Sequence, residues 1–179
     1  KVYEYMNKFY VLEGNKRVSV LKYFKAVTVN AEVIRKVPKY SEDPDVKIYY
    51  YFMEFYKCTK LNDIYFSNVG SFPTLMKLVG IKKGKNMDED AKKDFVSCFL
   101  SFKNAYDARG GERFDYPAGD AFLRFIHIHG YEHVKDMLPS EMAKNVAKTW
   151  AEFELLSENN AVELRMDPTL NEPKKNILS

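Results

Sequence analysis

Polar and apolar positions along this chain repeat with a helical period over most of its length, and alternate like strands only near its start. Residues 1–8 open directly on an amphipathic pattern that predicts the end of a helix. Phe9-Tyr10-Val11-Leu12 is a short aromatic and branched run stopped by Glu13-Gly14, which predicts a buried strand. From Asn15 to about Ala26, Val18, Leu21 and Phe24 recur every third position beside Val20, while Lys16, Arg17, Lys22 and Lys25 are polar. That spacing predicts an amphipathic helix. Val27 to Ile34 alternates branched apolar residues with polar or small ones before Pro38, as in a strand with one exposed face. The opening therefore reads as strand, helix, strand.

Beyond Pro38 the period is helical. Asp43-Pro44 predicts a helix start, and Ile48, Tyr49, Tyr51, Phe52, Phe55 and Tyr56 make that helix aromatic over most of its circumference, so cover on more than one side is expected. Ile64-Tyr65-Phe66 reads as a short extended piece, and Ser71-Phe72-Pro73 as the cap and first turn of a helix ending at Gly80. Asn86 to Glu89 has capping-box spacing, and Ala91, Phe95, Phe99, Phe102 and Tyr106 keep one face apolar until Gly110-Gly111. Ala118 to His129 predicts a helix ending at Gly130. Pro139 opens a last long helix with Met142, Val146, Trp150, Phe153 and Leu156 in one stripe. Val162 to Met166 alternates like an edge strand.

The expected fold is α+β: a strand-helix-strand unit over 1–40, a helical array of four to five helices over 41–167, and a proline-punctuated linker over 168–179. Both ends read as cuts inside a longer polypeptide.

Composition refines this only slightly. In 179 residues, 46% hydrophobic content is enough for a core without staples. The 28 basic and 25 acidic side chains nearly cancel, so the whole-molecule field is weak and any anion site must be local. Cys58 and Cys98 sit in apolar helical patterns without metal-like spacing, which predicts buried free thiols in a reducing compartment. No stretch approaches the roughly 20 apolar residues of a membrane span, and no leader opens the chain, so a cytoplasmic location is expected.

One segment carries candidate chemistry. Tyr10 to Lys22 places Gly14 at a strand end and Lys16 and Arg17 in the first helical turn. Glycine permits the tight turn, free N–H groups and the helix dipole face outward, and two cations add full charge. The other reading is that Gly14 only ends a strand and that both cations are solvated on a first turn, where positive charge is slightly unfavourable. The residues alone leave both open.

Val11-Leu12-Glu13-Gly14-Asn15-Lys16-Arg17-Val18-Ser19-Val20-Leu21-Lys22 resembles the phosphate-binding box of the ParB and sulfiredoxin-like superfamily, in which a strand ends in Gly-x-x-Arg. The run through Val27 to Pro38, the Tyr-rich helix and Gly70-Ser71-Phe72 is similar to the ParB-like N-terminal modules that precede a BMP-type (basic membrane protein) solute-binding domain in Firmicutes. The resemblance implies that Gly14, Asn15, Lys16 and Arg17 form a nucleotide-phosphate corner, such as ParB proteins use for CTP and sulfiredoxins for ATP. Read from the residues themselves, Glu13 is placed to orient Arg17 or to assist a metal on nucleotide phosphates, with Ser19 as a further supporting candidate; magnesium would accompany a nucleotide. The resemblance also implies strands upstream of Lys1 and an attached solute-binding domain. Asn15 stands where sulfiredoxins carry the reactive cysteine, so reduction of a cysteine sulfinate is not expected. The later Glu-Asn-x-x-Arg box of ParB proteins is missing, which argues against a CTP-driven DNA clamp.

Other clusters have plainer readings. His127, His129 and His133 lie around Gly130, which is expected to end the helix, so a helix-end role is favoured over metal binding. Asp88, Glu89, Asp90 and Asp94 complement a helix dipole. The 13 Tyr and 13 Phe fall largely at helical spacing and read as core rather than as a base-stacking platform. The expected function is a ligand-binding or regulatory module for a phosphate-bearing small molecule, a nucleotide or nucleoside phosphate, with no catalytic residue singled out. The alternatives are a DNA-binding ParB-like domain of nuclease or partition type, an NTPase or nuclease needing carboxylates or a metal near Arg17, and a structural adaptor. Dimerisation through the aromatic helices stays open.

Overall fold

Val2–Tyr5 forms a strand, β1, where the sequence pattern predicts a helix end. It hairpins into β2, Lys8–Val11, with Val2 opposite Val11 and Tyr5 opposite Lys8. The turn residues Met6 and Asn7 both have positive φ, 49° and 61°, the backbone of a two-residue hairpin turn whose twist matches its strands. The computed structural model in which this hairpin is seen describes residues 1–26 and 29–157.

Helix α1, Asn15–Tyr23, follows β2, and β3, Val33–Lys36, returns parallel to β1 with Val2 opposite Val33 and Tyr5 opposite Lys36. The sheet order is β2-β1-β3, so β2 and β3 are both edges. β2 is an exposed edge strand, not a buried one, since Lys8, Phe9 and Tyr10 all reach solvent. The stripe of α1 is barely covered: Val18 and Leu21 are half-buried, Phe24 is exposed, and no residue of the helix is buried. Residues 29–32 are not strand, and Val27 and Thr28 of the predicted strand lie outside the described residues.

The helices begin at α2, Pro44–Thr59. The Asp43 carboxylate accepts from the N–H groups of Asp45 and Val46 at 2.9 and 3.3 Å, satisfying two donors of the first turn. α3, Ser71–Val79, ends at Gly80 with φ 79°, the left-handed stop read from the sequence, but its cap residue is Gly70, and Ser71 is buried inside the helix. α4, Glu89–Ala108, starts after Asp88 without a side-chain cap bond, so the predicted capping box is not formed. α5 is Ala118–His129, α6 is Tyr131–Lys135, and α7 is Pro139–Lys148. After a turn at Thr149, residues 150–157 are again helical. The described residues thus hold more helices than the predicted four to five, because Gly130 opens a separate short helix and Thr149 interrupts the last one. The linker and the Val162 to Met166 strand lie outside the described residues.

The core belongs to the helices. Every one of the largest fully buried side chains lies at Tyr49 or beyond, among them Phe52, Phe72, Phe102, Phe122 and Phe153. Their rings meet tilted, as in Phe55–Phe72 at 5.4 Å and Phe102–Phe125 at 5.1 Å between centroids, edge-on, or stacked, as in Phe102–Tyr106. Burying each phenylalanine stabilises by about 1.5–3 kcal/mol, so this packing, rather than the small sheet, dominates stability. Among the described residues no helix is long and apolar enough to cross a membrane.

A buried ionic knot ties the sheet to the helices. Glu4 on β1 is fully buried, and its Oε2 lies 2.7 Å from Arg35 Nε on β3 and accepts from the Tyr49 hydroxyl of α2 at 3.0 Å. Its Oε1 accepts from the Asn7 N–H at 2.6 Å. Arg35 Nη2 donates to Asn62 Oδ1 at 3.1 Å, and the guanidinium lies 4.1 Å from the Tyr56 ring centroid.

Candidate functional site

β2 delivers the chain to the corner. The N–H groups of Leu12 and Glu13 both donate to the Lys1 carbonyl, at 3.0 and 3.3 Å, which fixes the bend between β2 and α1. Gly14 then adopts φ 91°, ψ 24° as the N-cap of α1. A side chain is strained at that φ, although a Cβ there would meet only open space. The left-handed conformation is therefore what requires glycine.

The first α1 hydrogen bond runs from the Val18 N–H to the Gly14 carbonyl at 3.0 Å. The N–H groups of Asn15, Lys16 and Arg17 precede it and have no partner within the helix. No side chain caps them, and no acidic residue occupies the first turn. Asn15, Lys16, Arg17 and Ser19 are all exposed, as are Glu13 and Gly14. Among the described residues neither Lys16 nor Arg17 forms an ion pair, so Glu13 does not orient Arg17. The corner presents uncapped donors beside two free cations, an arrangement complementary to an anion.

The histidines disperse. His129 Nε2 lies 2.9 Å from the Thr149 hydroxyl, which itself donates to the Asn145 carbonyl, so His129 is the donor of that pair. Burial, then the neighbouring His133 and Lys148, lower the His129 pKa. His133 faces Glu141 at 4.0 Å. Among the described residues no group of three or more His, Cys, Asp or Glu side chains gathers to hold a metal.

Neither thiol is poised for chemistry. Cys58 is buried and donates to the Lys82 carbonyl at 3.6 Å. Burial pushes the Cys98 thiol up to about 12, which keeps it neutral.

Two further features were not legible in the sequence. Asp120 is 8% exposed, and its Oδ2 accepts from both the N–H and the hydroxyl of Ser67, at 3.0 and 2.8 Å. Burial raises the Asp120 pKa against the lowering effect of those bonds. The second feature is a tyrosine-walled cleft between the hairpin, α2 and the 65–67 segment. Both join positions tens of residues apart that no local pattern links. Compared with protein families, curated proteins and solved structures, the chain matches none.

Proposed function

We propose that this chain is a ligand-binding module of ParB-like type that recognises a phosphate-bearing small molecule, a nucleotide or nucleoside phosphate, at the Gly14, Asn15, Lys16 and Arg17 corner. The observation that carries this reading is the uncapped start of α1: left-handed Gly14, three N–H groups without helical partners, no first-turn carboxylate, and two unpaired cations. A phosphate oxygen would accept from the backbone donors while Arg17 provides a charge-assisted, two-pronged contact. The chain order β2, Gly14, α1 keeps the strand-glycine-helix sequence on which this reading rests. With no protein carboxylate cluster beside the corner among the described residues, magnesium would ride on the ligand's own phosphates and water. Binding here would inform an attached solute-binding domain.

A second reading draws on the same helix. From Asn15 to Ala26 the chain carries Lys16, Arg17, Lys22 and Lys25 and no acidic residue, and no residue of α1 is buried. Such a helix would suit the phosphates of nucleic acid. The two readings part on salt: duplex affinity would fall by orders of magnitude between about 50 and 200 mM salt if several phosphates were contacted.

The test is a thermal-shift screen against nucleotides and nucleosides, with and without magnesium, repeated on Arg17→Ala. A nucleotide that raises the melting temperature of wild type but not of Arg17→Ala supports the proposal, because only a native-state binder stabilises. Equal shifts in both proteins would refute it.

A further inference from the structure

We infer that the tyrosine-walled cleft is a second ligand site, independent of the phosphate corner, for a small uncharged ring compound edged with hydroxyl or amino groups. Three separate segments enclose it: the hairpin end with Tyr5 and Lys8, the first turns of α2 with Asp45 and Tyr49, and the stretch carrying Tyr65. Its volume is about 480 Å³, within the roughly 300–1,000 Å³ of small-molecule sites.

The walls are held in place before any ligand arrives. Glu4 fixes two of them, since Tyr49 donates to its Oε2 at 3.0 Å and the Asn7 N–H to its Oε1 at 2.6 Å. Asp120 fixes the third, accepting from the Ser67 N–H and hydroxyl at 3.0 and 2.8 Å. Each enclosing segment is thus anchored from behind by a buried carboxylate. A cleft held this way loses little conformational entropy on binding.

Its lining sets the ligand chemistry. Tyr5, Tyr10 and Tyr65 line the cleft and are 43%, 52% and 38% exposed. Their ring faces offer stacking surface, and their hydroxyls offer hydrogen bonds at the rim. Lys8 and Asp45 bring one charge of each sign, and among the described residues neither forms an ion pair. The cleft is near neutral, which disfavours a free anion or cation. A flat-faced ring satisfies it: the face lies on tyrosine, and edge hydroxyl or amino groups meet Asp45, Lys8 and Asn7. Nucleosides and sugars share that chemistry.

The experiment is saturation-transfer NMR with titration of the whole chain against adenosine, uridine, glucose and maltose. Saturable binding of at least one compound is expected, weakened at least about tenfold in Tyr65→Ala or Tyr10→Ala and unaltered in Arg17→Ala. The nucleosides and the sugars report which source the cleft prefers. Silence from all four at millimolar concentration overturns the proposal, as does affinity unchanged in both tyrosine variants or lost in Arg17→Ala. Because these probes carry no phosphate, failure of the phosphate corner would leave this outcome untouched.

Discussion

Arg35 Nε sits 2.7 Å from Glu4 Oε2 across the parallel pair of β1 and β3, where the two residues are direct register partners. The pair is the junction between the sheet and the helical core, because the same carboxylate accepts from Tyr49 and the same guanidinium reaches Asn62 and Tyr56. A buried carboxylate held by a cation and two further donors is tolerated, whereas one whose cation is removed is not. Arg35→Ala is therefore expected to destabilise by about 3–5 kcal/mol in urea unfolding. Arg35→Lys should recover only part of this loss, since a lysine cannot make the planar fork that serves Glu4 and Asn62 together. A loss below about 1 kcal/mol for Arg35→Ala would make the pair ornamental.

Gly119 opens α5 against the backbone of Tyr65, and a Cβ there would collide with the Tyr65 carbonyl oxygen. Backbone on both sides leaves little room for relief. Gly119→Ala should destabilise by about 1–3 kcal/mol and lower the melting temperature by several degrees. An unchanged melting curve would mean that the 64–67 segment yields freely.

Asp120 makes stability depend on pH. Burial raises its pKa above the ordinary 3.8 in the folded chain, so the folded state holds the proton more tightly than the unfolded state. The stability this contributes is complete below the unfolded value and is lost as pH rises from there through the folded pKa. Asp120→Asn keeps an oxygen to accept from Ser67 and cannot titrate. Urea unfolding of both proteins from about pH 3 to pH 7 should show wild type losing stability relative to Asp120→Asn as pH rises. Parallel curves would count against the shift.

How much of this could be read from the sequence differs by element. Asp43-Pro44, Gly80 and the span from Ala118 to His129 mark helix limits through local chemistry, a carboxylate cap, a left-handed stop and an unbroken apolar period, and the structure places the helices there. The hairpin was missed for an equally local reason. Its turn is Met6-Asn7 rather than Asn-Gly, and Val2-Tyr3-Glu4-Tyr5 fits either period when only four residues long. The alternation in those four, followed by Asn7, was the signal available. The Gly14 turn and the start of α1 at Asn15 were legible because a strand-glycine-helix corner is contiguous. Arg35 gave no sign of its role, since its partners Glu4 and Asn62 lie far away in sequence. The tyrosine cleft was hidden likewise: Tyr10, Tyr49 and Tyr65 read as ordinary strand and helix aromatics until the fold brings them together.

The central claim is that the start of α1 reads phosphate through Arg17. Isothermal titration of wild type and Arg17→Ala with nucleoside triphosphates and with inorganic pyrophosphate tests it most directly, pyrophosphate having no ring to engage the cleft. Because Arg17 is exposed on a helix with no buried residue, the variant should melt within about 0.5 kcal/mol of wild type. The prediction is saturable binding to wild type that weakens at least about tenfold in Arg17→Ala, the loss expected for one charge-assisted contact. Equal affinity in the two proteins, or no binding of any phosphate compound to wild type, would contradict it.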